Sequence, residues 1–272
     1  MKNTLMPFAG LLAGGLLLSP PCPGLAKDQL REEFRQTYSL AADGRLMLDN
    51  VNGEIRITTW DRAEVKMEAV KKADSQEHLD AVQIEVESNA DRLQIKTRYP
   101  NTKPGEPREQ NHSASVDYTL TVPRQVRLEK VATVNGSVTI DGVRGDVAAS
   151  TVNGALTVKG LAGDARLSSV NGTVESSFDK LEGVKSVSLK TVNGKVVLTL
   201  PPDADADISA KTIGGSISAD DGLAVRKGLV GQEWKSILGK GGTPIKVKTV
   251  NGGIQIRHSE AGEKKRAAAT PK

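Results

Sequence analysis

Residues 134–154 read VNGSVTIDGVRGDVAASTVNG. The tripeptide Val-Asn-Gly opens and closes this stretch, and apolar residues alternate between the two copies. Val138 and Ile140 lie two and four places after the first glycine. Val147 and Ala149 lie six and four places before the next asparagine. Period-two alternation marks a strand with one face buried and the other exposed. Each Asn-Gly therefore joins two short, half-buried strands. Asn and Gly both tolerate the positive φ that a tight turn demands and that β-branched residues resist.

The phrase recurs along the chain. Val51-Asn52-Gly53, Val134-Asn135-Gly136, Val152-Asn153-Gly154, Val170-Asn171-Gly172, Val192-Asn193-Gly194 and Val250-Asn251-Gly252 are the same tripeptide. Ile213-Gly214-Gly215 is a degenerate seventh copy. From Asn135 the steps are 18, 18, 22 and 21 residues, then 37 to Asn251; the first copy stands 83 residues upstream. The flanks repeat as well. Ile55/Ile57, Leu156/Val158, Val174/Ser176, Val196/Leu198, Ile217/Ala219 and Ile254/Ile256 follow the glycines, and Leu46/Leu48, Ala165/Leu167, Val187/Leu189, Ile208/Ala210 and Ile245/Val247 precede the turns. Glu129/Val131 alone departs from the upstream pattern. A second turn signal shares the phase: Gly142-Val143-Arg144-Gly145-Asp146, then Gly160-Leu161-Ala162-Gly163-Asp164. Two corners per 18–22 residues predict a β-solenoid, a single-stranded β-helix-like stack of rungs with equivalent aliphatic residues in ladders inside. An antiparallel meander of Asn-Gly hairpins also supplies two turns per unit, and stays the alternative.

Composition agrees with an all-β chain. Of 272 residues only 3% are aromatic, so a core must come from Val, Ile, Leu, Ala and Thr. The formal charge of +4 arises from 37 basic and 33 acidic residues, interspersed along the chain. A nucleic-acid binder would cluster its basic residues, so no nucleic-acid partner is expected.

The residues Leu48-Asp49-Asn50-Val51-Asn52-Gly53-Glu54-Ile55, then Thr59-Trp60-Asp61, then Val116-Asp117-Tyr118-Thr119-Leu120-Thr121-Val122-Pro123 and the later Val-Asn-Gly series together resemble the DUF4097 β-strand-repeat family. Its members are labelled candidate adhesins of bacterial envelopes. The resemblance covers residues 34–257 and implies a β-helix-like fold and a non-enzymatic envelope role, with no catalytic residues to carry over.

The remaining segments organise around the repeats. Residues 1–26 read as a secretory signal: Lys2, an eleven-residue apolar stretch from Phe8 to Leu18, then Gly24 and Ala26 at the −3 and −1 places of a cleavage site. Eleven residues fall short of the roughly 20 that span a bilayer. Cleavage after Ala26 removes Cys22, the one cysteine, leaving no disulfide and no thiolate site. Residues 27–125 form a less regular β region, with strands at Glu64 to Val70, Val82 to Glu87 and Leu93 to Thr97 and a short helix capped by Ser75. Residues 101–113 read as a polar loop. Residues 126–260 carry the repeats, interrupted at 220–244 by an insertion containing Trp234, and 261–272 read as a disordered basic tail.

Catalytic signatures are sparse. His78, His112 and His258 fall in separate segments without a second ligand at metal spacing. Asp203, Asp205 and Asp207 alternate as in a calcium loop, but its sixth place holds Ile208 and its twelfth Gly214. No Gly-x-Ser-x-Gly elbow or phosphate loop occurs. Arg144-Gly145-Asp146 spells an integrin tripeptide, yet Ala162-Gly163-Asp164 at the same phase assigns Gly-Asp to the corner. The residues singled out are structural turns: Asn52, Gly53, Asn135, Gly136, Asn153, Gly154, Asn171, Gly172, Asn193, Gly194, Gly214, Gly215, Asn251 and Gly252. The expected protein is exported (periplasmic, on the outer envelope or secreted), without cofactor or metal, and adhesin-like, engaging an envelope protein or polysaccharide. A lyase-like β-helix enzyme and a ligand-free spacer are the alternatives.

Overall fold

The structure, a computed structural model, describes residues 29–99, 114–220, 226–227 and 231–259. The signal segment, the polar loop at 101–113 and the tail at 261–272 lie outside the described residues.

Strands dominate. The first part of the chain holds β1 (Leu30–Ser39), β2 (Arg45–Asp49), β3 (Ile55–Trp60), β4 (Glu64–Ala73), helix α1 (Gln76–Ala81), β5 (Gln83–Ser88), β6 (Arg92–Arg98) and β7 (Ser115–Pro123). The repeats supply β8 (Arg127–Asn135), β9 (Val138–Asp141), β10 (Val147–Asn153), β11 (Leu156–Leu161), β12 (Ala165–Asn171), β13 (Val174–Phe178), β14 (Val187–Lys190) and β15 (Val196–Leu200). Then come β16 (Ala206–Thr212), β17 (Ile217–Ala219), β18 (Arg226–Lys227), β19 (Gln232–Leu238), β20 (Thr243–Lys248) and β21 (Ile254–His258). The short helix stands where the sequence predicts it, its N-cap Ser75 accepting the His78 N–H at 3.2 Å.

Two mixed sheets result. One has ten strands in the order β1-β4-β7-β3-β9-β11-β13-β15-β21-β17. The other has eleven, β18-β19-β16-β20-β14-β12-β10-β8-β2-β6-β5. Neighbours from β7 to β17 in the first sheet and from β6 to β16 in the second are parallel. The outermost strands pair antiparallel, except β17, which ends the first sheet in parallel with β21. Parallel in-register pairing places equivalent aliphatics side by side: Ile55, Val138, Leu156, Val174, Val196, Ile254 and Ile217 form one buried row in the first sheet. Leu48, Val131, Ala149, Leu167, Leu189, Val247 and Ala210 form another in the second. One hydrophobic cluster runs from Leu40 to Ile256. Burying a side chain the size of Leu156 contributes about 1.5–3 kcal/mol.

The expected stack of rungs in chain order needs three corrections. The first Val-Asn-Gly copy, distant in sequence, lies directly against the second, since β2 and β3 pair with β8 and β9 and Asn52 bridges Asn135. The degenerate seventh copy is not between Asn193 and Asn251: β20 and β21 sit against β14 and β15, and β16 and β17 lie outside them. The insertion contributes β18 and β19, an antiparallel edge of the second sheet with Trp234 buried. The mismatch at Glu129 is a bulge. Leu128 pairs with Val147 and Val131 with Ala149, so β8 carries one extra residue and Glu129 stays exposed.

Candidate binding surface

The repeated corner is longer than the tripeptide. Before each Val or Ile stands a buried hydroxyl: Thr133, Thr151, Ser169, Thr191, Thr212 and Thr249, with Asn50 in that place in the first copy. Each hydroxyl donates to a glycine carbonyl of the adjoining unit. Thr151 donates to Gly136 at 2.9 Å, Ser169 to Gly154 at 3.2 Å, Thr191 to Gly172 at 3.0 Å, Thr249 to Gly194 at 3.1 Å and Thr212 to Gly252 at 2.9 Å. A backbone acceptor that the corner turns inward is thereby satisfied. In the sequence the hydroxyl extends the tripeptide to a four-residue phrase, Thr/Ser-Val-Asn-Gly.

The asparagines form a ladder. Asn135 Nδ2 donates to Asn52 Oδ1, Asn153 to Asn135, Asn171 to Asn153, Asn193 to Asn171 and Asn251 to Asn193, all at 2.8–2.9 Å. Asn52 closes one end on the Ala114 carbonyl at 3.3 Å. Gly214 stands where a further asparagine would continue the other.

The glycines are there for a different reason than the expected positive φ. Gly53 does have φ +120°. At Gly136, Gly172, Gly194, Gly215 and Gly252 the backbone is outside the left-handed range, and space decides. A Cβ on any of these five would come well inside 3.0 Å of a glycine carbonyl in the next unit. Positive φ, found at this corner only at Gly53 and Gly154, is shared by the other corner, at Gly142 (+75°) and Gly160 (+67°). There Asp146 accepts the Asp164 N–H at 3.1 Å, and Asp164 accepts the Lys185 N–H at 2.6 Å. In Arg144-Gly145-Asp146, Gly145 packs on the Val126 carbonyl and Asp146 makes this bond, while Arg144 is exposed.

With its polar atoms committed to neighbours, the corner leaves its aliphatic residue outside. Val51, Val134, Val152, Val170, Val192 and Val250 are each 37–39% exposed and Ile213 is 52%. They form a continuous aliphatic ridge, one residue per unit. Beside it lie the outer sheet faces. In the first sheet Thr119, Arg56, Thr139, Thr157, Glu175, Val197, Gln255 and Ser218 make one in-register row across eight strands. The row is extended and chemically mixed, and of its members only Val197 is buried.

Other candidates resolve into local roles. Asp205 accepts the Lys240 N–H at 2.7 Å and Asp207 the Gly242 N–H at 3.3 Å, so two of the three alternating aspartates hold the turn before β20. Asp203 and Asp205 also line an open depression of about 510 Å³ with Asp179 and Lys185. His78 Nδ1 is 2.6 Å from Asp74, and His258 ends β21; His112 is outside the described residues. Among the described residues no three His, Cys, Asp or Glu side chains converge as metal ligands, and no helix is long and apolar enough to cross a membrane.

Tyrosines mark the other end of the molecule. Tyr118 is buried, its hydroxyl 2.7 Å from Thr97 Oγ1, and burial pushes its pKa up. Tyr99 donates to the Asn52 carbonyl at 3.2 Å and is pushed up to about 12, again by burial. Burial raises Tyr38 as well.

A family model described as Toastrack DUF4097 matches residues 38–257. No curated protein matches the sequence. Among solved structures, a candidate cell adhesion protein from Clostridium sporogenes is similar at 15% identity, covering 84% of this chain and 100% of its own, with TM-score 0.48. A candidate adhesin from Bacteroides fragilis is similar at 12% identity, covering 84% of this chain and 97% of its own, with TM-score 0.42.

Proposed function

We infer the function from one premise: the chain belongs to the Toastrack DUF4097 family. It is a non-catalytic, adhesin-like binding protein of the cell envelope, exported by the signal segment at 1–26. Its parallel interior is a solenoid-like scaffold in which the Asn-Gly positions are structural. The observation that supports binding without catalysis is the eight-strand row on the first sheet, from Thr119 to Ser218. Mixed side chains at strand spacing, about 4.8 Å apart, exposed or half-exposed except at Val197, offer many weak contacts along a line instead of a few converging groups in a cleft. Such a surface suits an elongated partner, an envelope protein or a polysaccharide.

The test is to incubate the protein with a polysaccharide panel and with envelope fractions, with and without calcium. Retention of a partner without chain cleavage is expected. Cleavage that disappears in the triple variant Asp203→Asn, Asp205→Asn, Asp207→Asn replaces this reading with the lyase. N-terminal sequencing of exported protein checks the address, and a mature chain starting far from Lys27 overturns it.

A further inference from the structure

Three lysines far apart in sequence are neighbours in space. Lys190 of β14 pairs in register with Lys248 of β20, and Lys248 with Lys211 of β16. All three are exposed. Strand spacing of about 4.8 Å sets their backbones side by side, where like charges destabilise a sheet. Among the described residues none of the three is in an ion pair. The carboxylate in register with the row, Glu233, lies beyond Lys211 on β19 and is held by Lys235 at 3.0 Å. Glu233 faces only the Lys211 end of the row; among the described residues Lys190 and Lys248 have no carboxylate in register and are left to an external anion.

The row does not stand alone. Two residues further along the same three strands come Val192, Val250 and Ile213, the last three members of the aliphatic ridge and including its most exposed one. The intervening Thr191, Thr249 and Thr212 are buried, so each strand shows the outside a Lys, hides a Thr and shows an aliphatic. The result is a cationic line running beside an aliphatic line over three adjacent strands. A soluble polyanion uses only the first line. A bilayer surface with anionic headgroups uses both, the lysines meeting headgroups and the aliphatic side chains entering the boundary below them. Toward the first copy of the repeat the place of the lysines is taken by Ser168, Ser150, Ala132 and Asp49, so the ridge continues there without the charge.

We propose that this end of the molecule docks on anionic lipid surfaces through Lys190, Lys211 and Lys248 with Val192, Ile213 and Val250. The proposal goes beyond the adhesin-like reading and does not need it, because it uses the second sheet and one end of the ridge.

The test is co-sedimentation of the full chain, as its host processes it, with phosphatidylcholine vesicles carrying or lacking phosphatidylglycerol. Binding is expected only with phosphatidylglycerol, and weaker at higher salt. The triple variant Lys190→Gln, Lys211→Gln, Lys248→Gln should lose at least tenfold in affinity. A charge-matched control, Arg31→Gln, Lys159→Gln, Lys180→Gln, should lose less than twofold. Val192→Thr, Ile213→Thr, Val250→Thr should weaken vesicle binding severalfold while leaving retention on soluble polyglutamate unchanged. No sedimentation with anionic vesicles overturns the proposal, as does full binding by the lysine variant. Vesicle binding that ignores the Thr variant replaces the lipid surface with a polyanion. Circular dichroism melts of each variant separate lost docking from lost folding. Polysaccharide or envelope-protein capture by the lysine variant reports on the adhesin-like reading independently.

Discussion

The repeated interior and the first part of the chain hold themselves together by opposite means. Between residues 131 and 232 no ion pair forms among the described residues; corners there are fixed by asparagine to asparagine, hydroxyl to carbonyl and glycine on glycine. The first part instead carries charge pairs between antiparallel strands, such as Arg98–Glu85, Lys71–Glu32 and Lys72–Asp117, beside a tyrosine cluster. The difference follows from register. Identical units in parallel alignment bring identical residues together, and identical charges repel whereas an amide or a hydroxyl bonds to its own kind or to backbone. Antiparallel strands bring unlike residues together and can use opposite charges.

The comparison breaks first if the buried rows are not what fixes the interior. Leu156→Asp places an unpaired carboxylate in a fully buried row and should cost about 5 kcal/mol or prevent folding. Thr157→Asp, half-exposed on the opposite face, should stay within about 0.5 kcal/mol. Equal melting shifts would show the assigned faces to be wrong.

A methyl group is the next probe. Gly172→Ala drives its Cβ into the Gly154 carbonyl, a backbone atom that cannot yield without parting two units, so about 3 kcal/mol is expected from urea unfolding. Gly44→Ala, in the first part, meets the Leu40 side chain chiefly, and should cost clearly less. A milder effect at Gly172 than at Gly44 would contradict the stacked-glycine account.

Removing one amide tests the ladder. Asn153→Ala deletes a donor to Asn135 and an acceptor for Asn171, both at an exposed corner, and should cost about 1–2 kcal/mol. The matching test in the first part, Arg98→Gln against the exposed Glu85, should cost under about 1 kcal/mol and vanish at high salt. A larger loss at Arg98 reverses the contrast.

Alkali separates the two regions without mutation. Tyr99 and Tyr118 hold their protons more tightly folded than unfolded, so their contribution is complete below the ordinary tyrosine pKa of about 10 and is lost as pH rises through the folded values, about 12 for Tyr99 and higher for Tyr118. Hydrogen exchange should show β6 and β7 opening before β11 and β13 between pH 10 and 12. Uniform opening of both regions would argue against it.

Much of this was legible in the sequence because period-two alternation survives any connectivity. The aliphatic faces, the helix after Ser75, both corners and the departure at Glu129 all read directly. What was hidden depends on who neighbours whom. Lys190, Lys211 and Lys248 lie 21 and 37 residues apart, and nothing local shows that Lys248 stands between the other two. The asparagine ladder needs register, which a turn-forming tripeptide does not reveal. Turning the chain is glycine's local property and so the one a sequence shows, while its use at most of these corners is the room it leaves for a neighbour.

The exchange of the last two units has a kinetic side. As the chain emerges from its N-terminus, β8 to β15 can each settle on a partner already made. β16 and β17 cannot: the strands they pair with in parallel, β20 and β21, are synthesised afterwards. Until residue 258 is available, one unit must wait undocked with Ile208, Ala210 and Ile217 uncovered. Assembly therefore ends with a latch, and a nascent chain halted between residues 219 and 243 is the species most exposed to proteases and to self-association.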